Sequence, residues 1–160
     1  MSDKLIKMFV ANGDAVLYAV TSTDILKKAR EIHRLSPVAA AALGRLMSAG
    51  IIMATSLKNQ DESLSITVSG GGVIGKLVVV AHGDYAVKGY VDNPYVQLPA
   101  RPDKKLDVGG AVGKDGYITV VKSMGLKAPY VGRVKLVSGE IAEDVANYYY
   151  LSEQKPNLLA

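Results

Sequence analysis

Residues 36–57 read Ser36-Pro37-Val38-Ala39-Ala40-Ala41-Ala42-Leu43-Gly44-Arg45-Leu46-Met47-Ser48-Ala49-Gly50-Ile51-Ile52-Met53-Ala54-Thr55-Ser56-Leu57. Serine is a favoured N-cap, and proline suits the first helical position because its missing N–H would find no intrahelical acceptor there. From Ala39 the apolar residues Leu43, Leu46, Met47, Ile51, Ile52 and Met53 lead on to Leu57, so the stretch predicts a helix that is apolar on nearly all sides. At roughly 20 residues and about 1.5 Å per residue it is long enough to cross a bilayer. Arg45 argues against that use, since a cation near the middle of a span costs roughly 2.5–3.5 kcal/mol, and Gly44 and Ser48 sit beside it. The reading that remains is a helix buried inside a soluble domain. Its small residues, Ala39 to Ala42, Gly44, Ala49, Gly50 and Ala54, would let sheets approach it on several sides.

Strands are predicted before and after this helix. Leu5 to Ala11 and Ala15 to Thr21 flank Asn12-Gly13-Asp14, a turn sequence suited to a hairpin. Thr23-Asp24 offers a cap for a helix to about His33, with Ile25, Ala29 and Ile32 on one side and Lys27, Lys28, Arg30 and Glu31 mostly on the other. Beyond residue 57, Leu64, Ile66 and Val68 alternate with Ser63, Ser65 and Thr67, the pattern of a half-buried strand. Leu77 to Val80, Tyr85 to Val91, Tyr117 to Val121 and Tyr130 to Val137 supply further strands. Between them, Asn93 to Gly113 forms a long connection with Pro94, Pro99 and Pro102 and the charges Asp103, Lys104 and Lys105; a connection of that length is usually functional or mobile.

Residues 70–76, Gly-Gly-Gly-Val-Ile-Gly-Lys, satisfy G-x-G-x-x-G and the first part of a phosphate-binding loop. Both readings fail on context. A magnesium-holding Ser or Thr should follow the lysine, where this chain has Leu77, and both motifs need a helix next, whereas Leu77-Val78-Val79-Val80 is strand-like. A tight connection between strands is the better account. His33 at a helix end and His82 in the turn His82-Gly83-Asp84 do not make a metal site, and an acid–base pair of His82 with Asp84 is the kind of proximity turns produce constantly. No nucleophile elbow occurs, so an enzyme is not expected.

Composition bounds the rest. A chain of 160 residues, 49% hydrophobic and 21% charged, suits one globular domain. Its net charge of +4 is spread along the sequence, so neither a nucleic-acid partner nor a membrane is indicated. The absence of cysteine excludes disulfides and thiolate metal sites within these residues. The start, Met1-Ser2-Asp3-Lys4, lacks the apolar core of a signal peptide, which leads to the expectation of a cytoplasmic protein.

The last stretch brings an acidic helix start, tyrosines and a stop together. Ser138 is the expected N-cap, Glu140, Glu143 and Asp144 place negative charge in the first turns, Ile141, Val145 and Tyr148 or Tyr149 recur on one face, and Pro156 ends the helix. The run Val137-Ser138-Gly139-Glu140-Ile141-Ala142-Glu143-Asp144, with Tyr148 and Tyr149 behind it and Ser152-Glu153-Gln154-x-Pro156 closing, resembles the 33-kDa heat-shock protein family, the redox-regulated holdase chaperones. Gly75 to Val80 leading through Gly89-Tyr90-Val91-Asp92-Asn93-Pro94 resembles the family's central hairpin. Val112 to Val120, with Pro129-Tyr130-Val131-Gly132, resembles the strand pair before the Ser-Gly-Glu helix.

The resemblance implies an α+β fold, a layered β/α/β domain with a buried central helix and mostly antiparallel sheets. It implies an ATP-independent holdase that binds unfolded or partly unfolded client proteins and prevents their aggregation; the alternative is a non-catalytic interaction or dimerisation module. Family members add a C-terminal zinc domain with Cys-x-Cys and Cys-x-x-Cys pairs, whose oxidation releases zinc. No cofactor is expected in residues 1–160, which read as a single chaperone core domain, truncated at its C-terminal end, with the zinc domain absent. Leu158-Leu159-Ala160 reads as the start of an apolar strand, whose missing remainder would leave an open edge inviting self-association. Family dimers exchange segments, so a homodimer is expected. The candidate client or dimer surface comprises Tyr148, Tyr149 and Tyr150 with Tyr95, Val96 and Leu98.

Overall fold

A computed structural model describes residues 2–159, the side chain of Ala11 excepted. In chain order the elements are β1 (Leu5–Val10), β2 (Ala15–Val20), α1 (Thr23–His33), α2 (Pro37–Ala54), β3 (Ser63–Ser69), β4 (Lys76–His82), β5 (Val87–Val91), α3 (Val108–Val112), β6 (Tyr117–Ser123), β7 (Tyr130–Lys135) and α4 (Ala142–Leu151). Strands β3 to β7 form one antiparallel sheet in the order β5-β4-β3-β6-β7. β1 and β2 pair separately as an antiparallel hairpin.

The α2 helix forms because its start is capped and its surface is apolar. The Ser36 side chain accepts the Ala39 N–H at 3.3 Å, and Pro37 follows it. Leu43, Leu46, Met47, Ile51 and Met53 are all buried, while Arg45 is exposed. The inner face of the large sheet packs against this helix through β3, β4 and β5, with Leu64, Ile66 and Val68 of β3 and Leu77, Val79 and Ala81 of β4 buried, and Ile118 and Val120 of β6 extend the same core. Register explains the match, since Ile66 stands opposite both Val79 and Val120, so one alternation pattern lines one face.

Small residues on α2 set two different approaches. A Cβ on Gly50 would lie 3.0 Å from Cγ1 of Val79, so the sheet needs that position bare. A Cβ on Gly44 would lie 2.9 Å from Cδ2 of Leu26, so there the close neighbour is α1, not a sheet. The hairpin supplies the other β layer, with β2 as the strand laid against α2. The layered β/α/β order therefore holds, with one layer only two strands wide.

Several sequence-based expectations are corrected. Ser138 is not an N-cap; the chain turns through Gly139 (φ 74°) and Ile141 (φ 73°), and α4 begins at Ala142. Asp144 does the capping from inside the helix: its buried carboxylate accepts the N–H of Val137 at 2.7 Å, Ser138 at 3.1 Å and Ile141 at 3.1 Å. Glu140 is drawn to Arg45 (2.7 Å) and Arg101 (3.3 Å) instead of the helix start. Ile32 is 65% exposed instead of buried beside Ala29, and α1 takes its leading N–H bond, Ile25 to the Asp3 carboxylate at 2.8 Å, from outside the helix. The long connection hides a short helix, α3, capped by Asp107 accepting from Gly110 at 2.9 Å. The strand start read at Leu158-Leu159-Ala160 is a different case: Leu158 and Leu159 lie in irregular chain, as a segment without its pairing remainder would, and Ala160 lies outside the described residues.

Candidate client-binding surface

The six residues expected at a contact surface divide sharply. Tyr148 has no exposure and Val96 only 6%, so both belong to the core and neither is a surface residue. The reason is helical position for Tyr148, one turn beyond Val145 on the inward stripe, and docking of its segment for Val96, where Pro94 accepts the Ser36 N–H at 2.8 Å. Tyr149 and Leu98 are half-buried against the core. Tyr150 and Tyr95 are exposed, at 67% and 65%.

Tyr148 anchors a polar network beneath α4. Its hydroxyl donates to the Glu153 carboxylate at 3.2 Å, the same carboxylate pairs with the Lys122 ammonium, and Tyr130 shares a hydrogen bond of 3.0 Å with the Ser152 hydroxyl. Gly132 makes room, because a Cβ there would stand 2.8 Å from the Tyr148 ring. Burial, with the Glu153 charge beside it, pushes the Tyr148 hydroxyl well above the ordinary phenol range; Tyr149 is raised by the same two causes. Burial opposes ionisation of Glu153, but the Lys122 hydrogen bond and the charges of Lys122 and Lys155 outweigh it and hold the carboxyl low. The network fixes structure and lies largely enclosed beneath α4.

The apolar surface lies on the hairpin instead. Cross-strand pairs share a face, so Leu5, Lys7 and Phe9 stand with Val20, Tyr18 and Val16, while Ile6, Met8 and Val10 stand with Ala19, Leu17 and Ala15. The first set faces the body at its base, where Leu5, Tyr18 and Val20 are half-buried; near the tip the Lys7 ammonium lies 5.0 Å from the Phe9 ring centroid. The second set is exposed throughout and carries no charge, with Ile6 at 49% and Met8 at 46%. An antiparallel sheet with one face in water normally alternates apolar-in with polar-out, so this wholly apolar outer face departs from the usual pattern and is the candidate contact surface. Sequence reasoning found the hairpin but passed over this property. The signal was available, as β1 and β2 contain one charged residue, Lys7, where alternation would supply several.

Other surfaces differ in kind. The outer face of the large sheet carries Ser65, Thr67, Ser69 and Thr119, with the Arg133 guanidinium 4.0 Å from the centroid of the Tyr117 ring. An open groove of about 460 Å³ runs between α1 and α2, floored by Leu26, Ala40 and Ala41 and edged by Lys27 and Arg30. Residues 70–75 form the connection between β3 and β4, as expected, and Gly72 and Ile74 donate backbone bonds to Val112 and Ala111. Asp84 accepts the Ala86 N–H at 3.0 Å in a turn. Among the described residues there is no group of three or more His, Cys, Asp or Glu able to hold a metal. Pro37–Ala54 is long and apolar enough to cross a membrane, yet here it is the core helix.

The fold is an α+β domain of antiparallel sheets around a buried helix, with an apolar hairpin turned to solvent. The family model described as Hsp33 protein matches residues 3–160, and the chain belongs to that family. Among its relatives, the 33 kDa chaperonin of Clostridium botulinum (strain Alaska E43 / Type E3) is 46% identical over 160 residues, covering 100% of this chain and 54% of the relative. That of Clostridium acetobutylicum is 44% identical over 157 residues, covering 98% and 53%. The crystal structure of the 33 kDa chaperonin from Thermotoga maritima superposes with a TM-score of 0.87 at 36% identity, over 92% of this chain and 50% of that one. The chain thus spans about half the length of the relatives it matches.

Proposed function

We propose that these residues form the client-holding core of an ATP-independent chaperone, which binds unfolded or partly unfolded proteins and keeps them from aggregating. The observation that carries this reading is the outer face of the β1–β2 hairpin, apolar, uncharged and open to water. The names of the relatives, 33 kDa chaperonins, supply the class of partner. Holding a client needs no bond to be made or broken, so the reading asks for no catalytic residue, nucleotide or cofactor in this chain. It sets the protein in the cytoplasm, acting apart from nucleic acid and membrane.

Zinc and thiol control belong, on this reading, to residues outside the 160 described by this sequence, in a C-terminal domain of a longer protein. The sequence has no cysteine with which to bind zinc or form a disulfide, so the core would hold clients without that switch. A homodimer with exchanged segments accompanies the proposal. The second reading, a non-catalytic interaction or dimerisation module, is favoured by the same hairpin, which pairs with no other strand among the described residues.

Light scattering from a heat-denaturing client separates the two. A holdase suppresses the signal near one-to-one ratios, with or without ATP, and loss of suppression on Met8→Lys with Leu17→Lys would assign it to the hairpin. No suppression by the unaltered chain would leave the module reading standing alone.

A further inference from the structure

The outer face of the large sheet gathers positive charge around hydroxyl groups. Cross-strand pairing sets the rows: Lys76, Ser69, Tyr117 and Lys135 stand side by side across β4, β3, β6 and β7, and the next row runs Tyr90, Val78, Thr67, Thr119 and Arg133. With Lys88, opposite Val80, the strands put the cations Lys76, Lys88, Arg133 and Lys135 on this face and no carboxylate. None of these cations enters an ion pair among the described residues, where Arg45, Arg101, Lys122 and Lys155 take the acidic partners. An open cleft of about 420 Å³ lies on the face, its lining including Thr67, Ser69, Thr119, Lys76 and Arg133, with Asp115 the one carboxylate. All of that lining falls between residues 67 and 133. The Arg133 guanidinium, 4.0 Å from the Tyr117 ring centroid, is steadied by the ring and keeps its N–H donors without a carboxylate.

We infer that this cleft binds a small, multiply charged oxyanion of the phosphate class. The inference goes beyond the holdase reading and does not depend on it. Donors decide the chemistry. Ammonium and guanidinium groups donate without accepting, and the hydroxyls of Thr67, Ser69 and Thr119 can donate as well. These groups come from β4, β3, β6 and β7, so they suit a tetrahedral ion that accepts from several directions better than a flat carboxylate. Asp115 opposes an anion, but Lys76 and Arg133 together leave the cleft net positive. Geometry decides the size. From β4 to β7 the sheet crosses β3 and β6, a width of about 14 Å at about 4.8 Å per strand, which the long Lys76 and Arg133 side chains close around one or two phosphate groups. Beyond the Thr67–Thr119 row the face turns apolar, with Val80, Val121 and Val131 in the row of Ser65, so no cationic track leads a longer polymer onward. The one aromatic ring in the lining, Tyr117, already carries Arg133 and offers a nucleobase no free platform, which favours an inorganic ion over a nucleotide.

The test is titration of the 160-residue chain with orthophosphate, pyrophosphate and ADP at constant ionic strength, followed by NMR and calorimetry. Pyrophosphate should bind more tightly than orthophosphate, because its added charge meets the same cations. It should shift the amides of Thr67, Ser69, Gly71 and Thr119 and leave those of α1 in place. Arg133→Gln and Lys76→Gln should each weaken pyrophosphate binding about fivefold. Lys27→Gln, at the edge of the groove between α1 and α2, should leave it unchanged. An equal loss in Lys27→Gln, shifts spread over the other basic surfaces, or no binding at millimolar pyrophosphate overturns the inference. ADP binding more tightly than pyrophosphate overturns the choice of an inorganic ion. The titration of the unaltered chain needs no variant and decides even where a substitution misfolds. Client light scattering keeps the two proposals apart: absent pyrophosphate binding removes the cleft and leaves suppression untouched, whereas absent suppression removes the holdase reading and leaves the cleft.

Discussion

The Tyr148 hydroxyl donates to the Glu153 carboxylate at 3.2 Å from a ring with no exposure, tying the last turns of α4 to the segment beyond it. Lys122, reaching across from β6, completes the site on the same carboxylate oxygen. Tyr148→Phe keeps the ring and loses one charge-assisted hydrogen bond, at a cost of about 1.5–3 kcal/mol. Tyr148→Ala empties the space as well and should cost about 3–5 kcal/mol, by analogy with other large aromatic truncations. Urea unfolding of the two variants checks the ordering.

The Lys122 and Glu153 side chains are only 10% and 8% exposed, so their pairing is a buried one. Removing one partner strands the other, and Lys122→Met alone should destabilise the chain by about 3–5 kcal/mol. Lys122→Met combined with Glu153→Leu should recover much of that loss, because neither charge then remains to be desolvated. A double-mutant cycle in denaturant measures the recovery; strictly additive losses would contradict it.

Stability should fall on both sides of a broad plateau in pH. Glu153 and Glu62 titrate below their ordinary 4.5 in the folded chain, so the unfolded state takes up protons first as pH drops, and stability is lost progressively from about 4.5 downward. Tyr148 and Tyr149 titrate above their ordinary 10.0, so above that pH the unfolded chain releases protons that the folded chain keeps, and stability declines again. Thermal melts across pH check both limbs. In Tyr148→Phe the alkaline limb should be shallower, because one of the two phenols has gone.

Asp144 gathers three backbone donors ahead of α4. Asp144→Ala should leave those N–H groups short of partners and cost on the order of 3 kcal/mol, since charged hydrogen bonds each contribute about 1.5–3 kcal/mol and part is recovered by water. Ser138→Ala should cost less than 1 kcal/mol, because Ser138 Oγ only accepts the Glu140 N–H within a turn, at 3.2 Å. A Ser138 effect larger than the Asp144 effect in thermal melts would reverse the assignment of the cap.

Gly132→Ala should be disruptive although the position looks like an ordinary strand residue. Its Cβ would meet Tyr148 at 2.8 Å and the Ser152 hydroxyl at 2.5 Å, and forcing α4 outward costs about 1–3 kcal/mol. The loss should shrink in a Tyr148→Leu background, which the corresponding cycle of melts would register.

What could be read from the chain alone was whatever depends on neighbours in sequence. Ser36-Pro37 and the all-round apolar run define α2 because capping and helical periodicity are local, and Leu64, Ile66 and Val68 define β3 because the pleat turns every second side chain to the same face. Asn12-Gly13 marks the hairpin turn for the same reason, as Asn12 adopts φ 56° and Gly13 φ 102°. Tertiary structure alone decided which of three consecutive tyrosines is buried, because a helix advances about 100° per residue and only its docking on β7, α2 and β6 fixes where the inward stripe begins. It also decided that Asp144, and not Ser138, caps the approach to α4, accepting the amides of Val137, Ser138 and Ile141, and that Gly44 serves a helix while Gly50 serves a sheet. The apolar hairpin lay between the two. Its composition was visible in Leu5 to Val20, but which face meets water depends on β2 resting against α2, a contact between segments that no local pattern encodes.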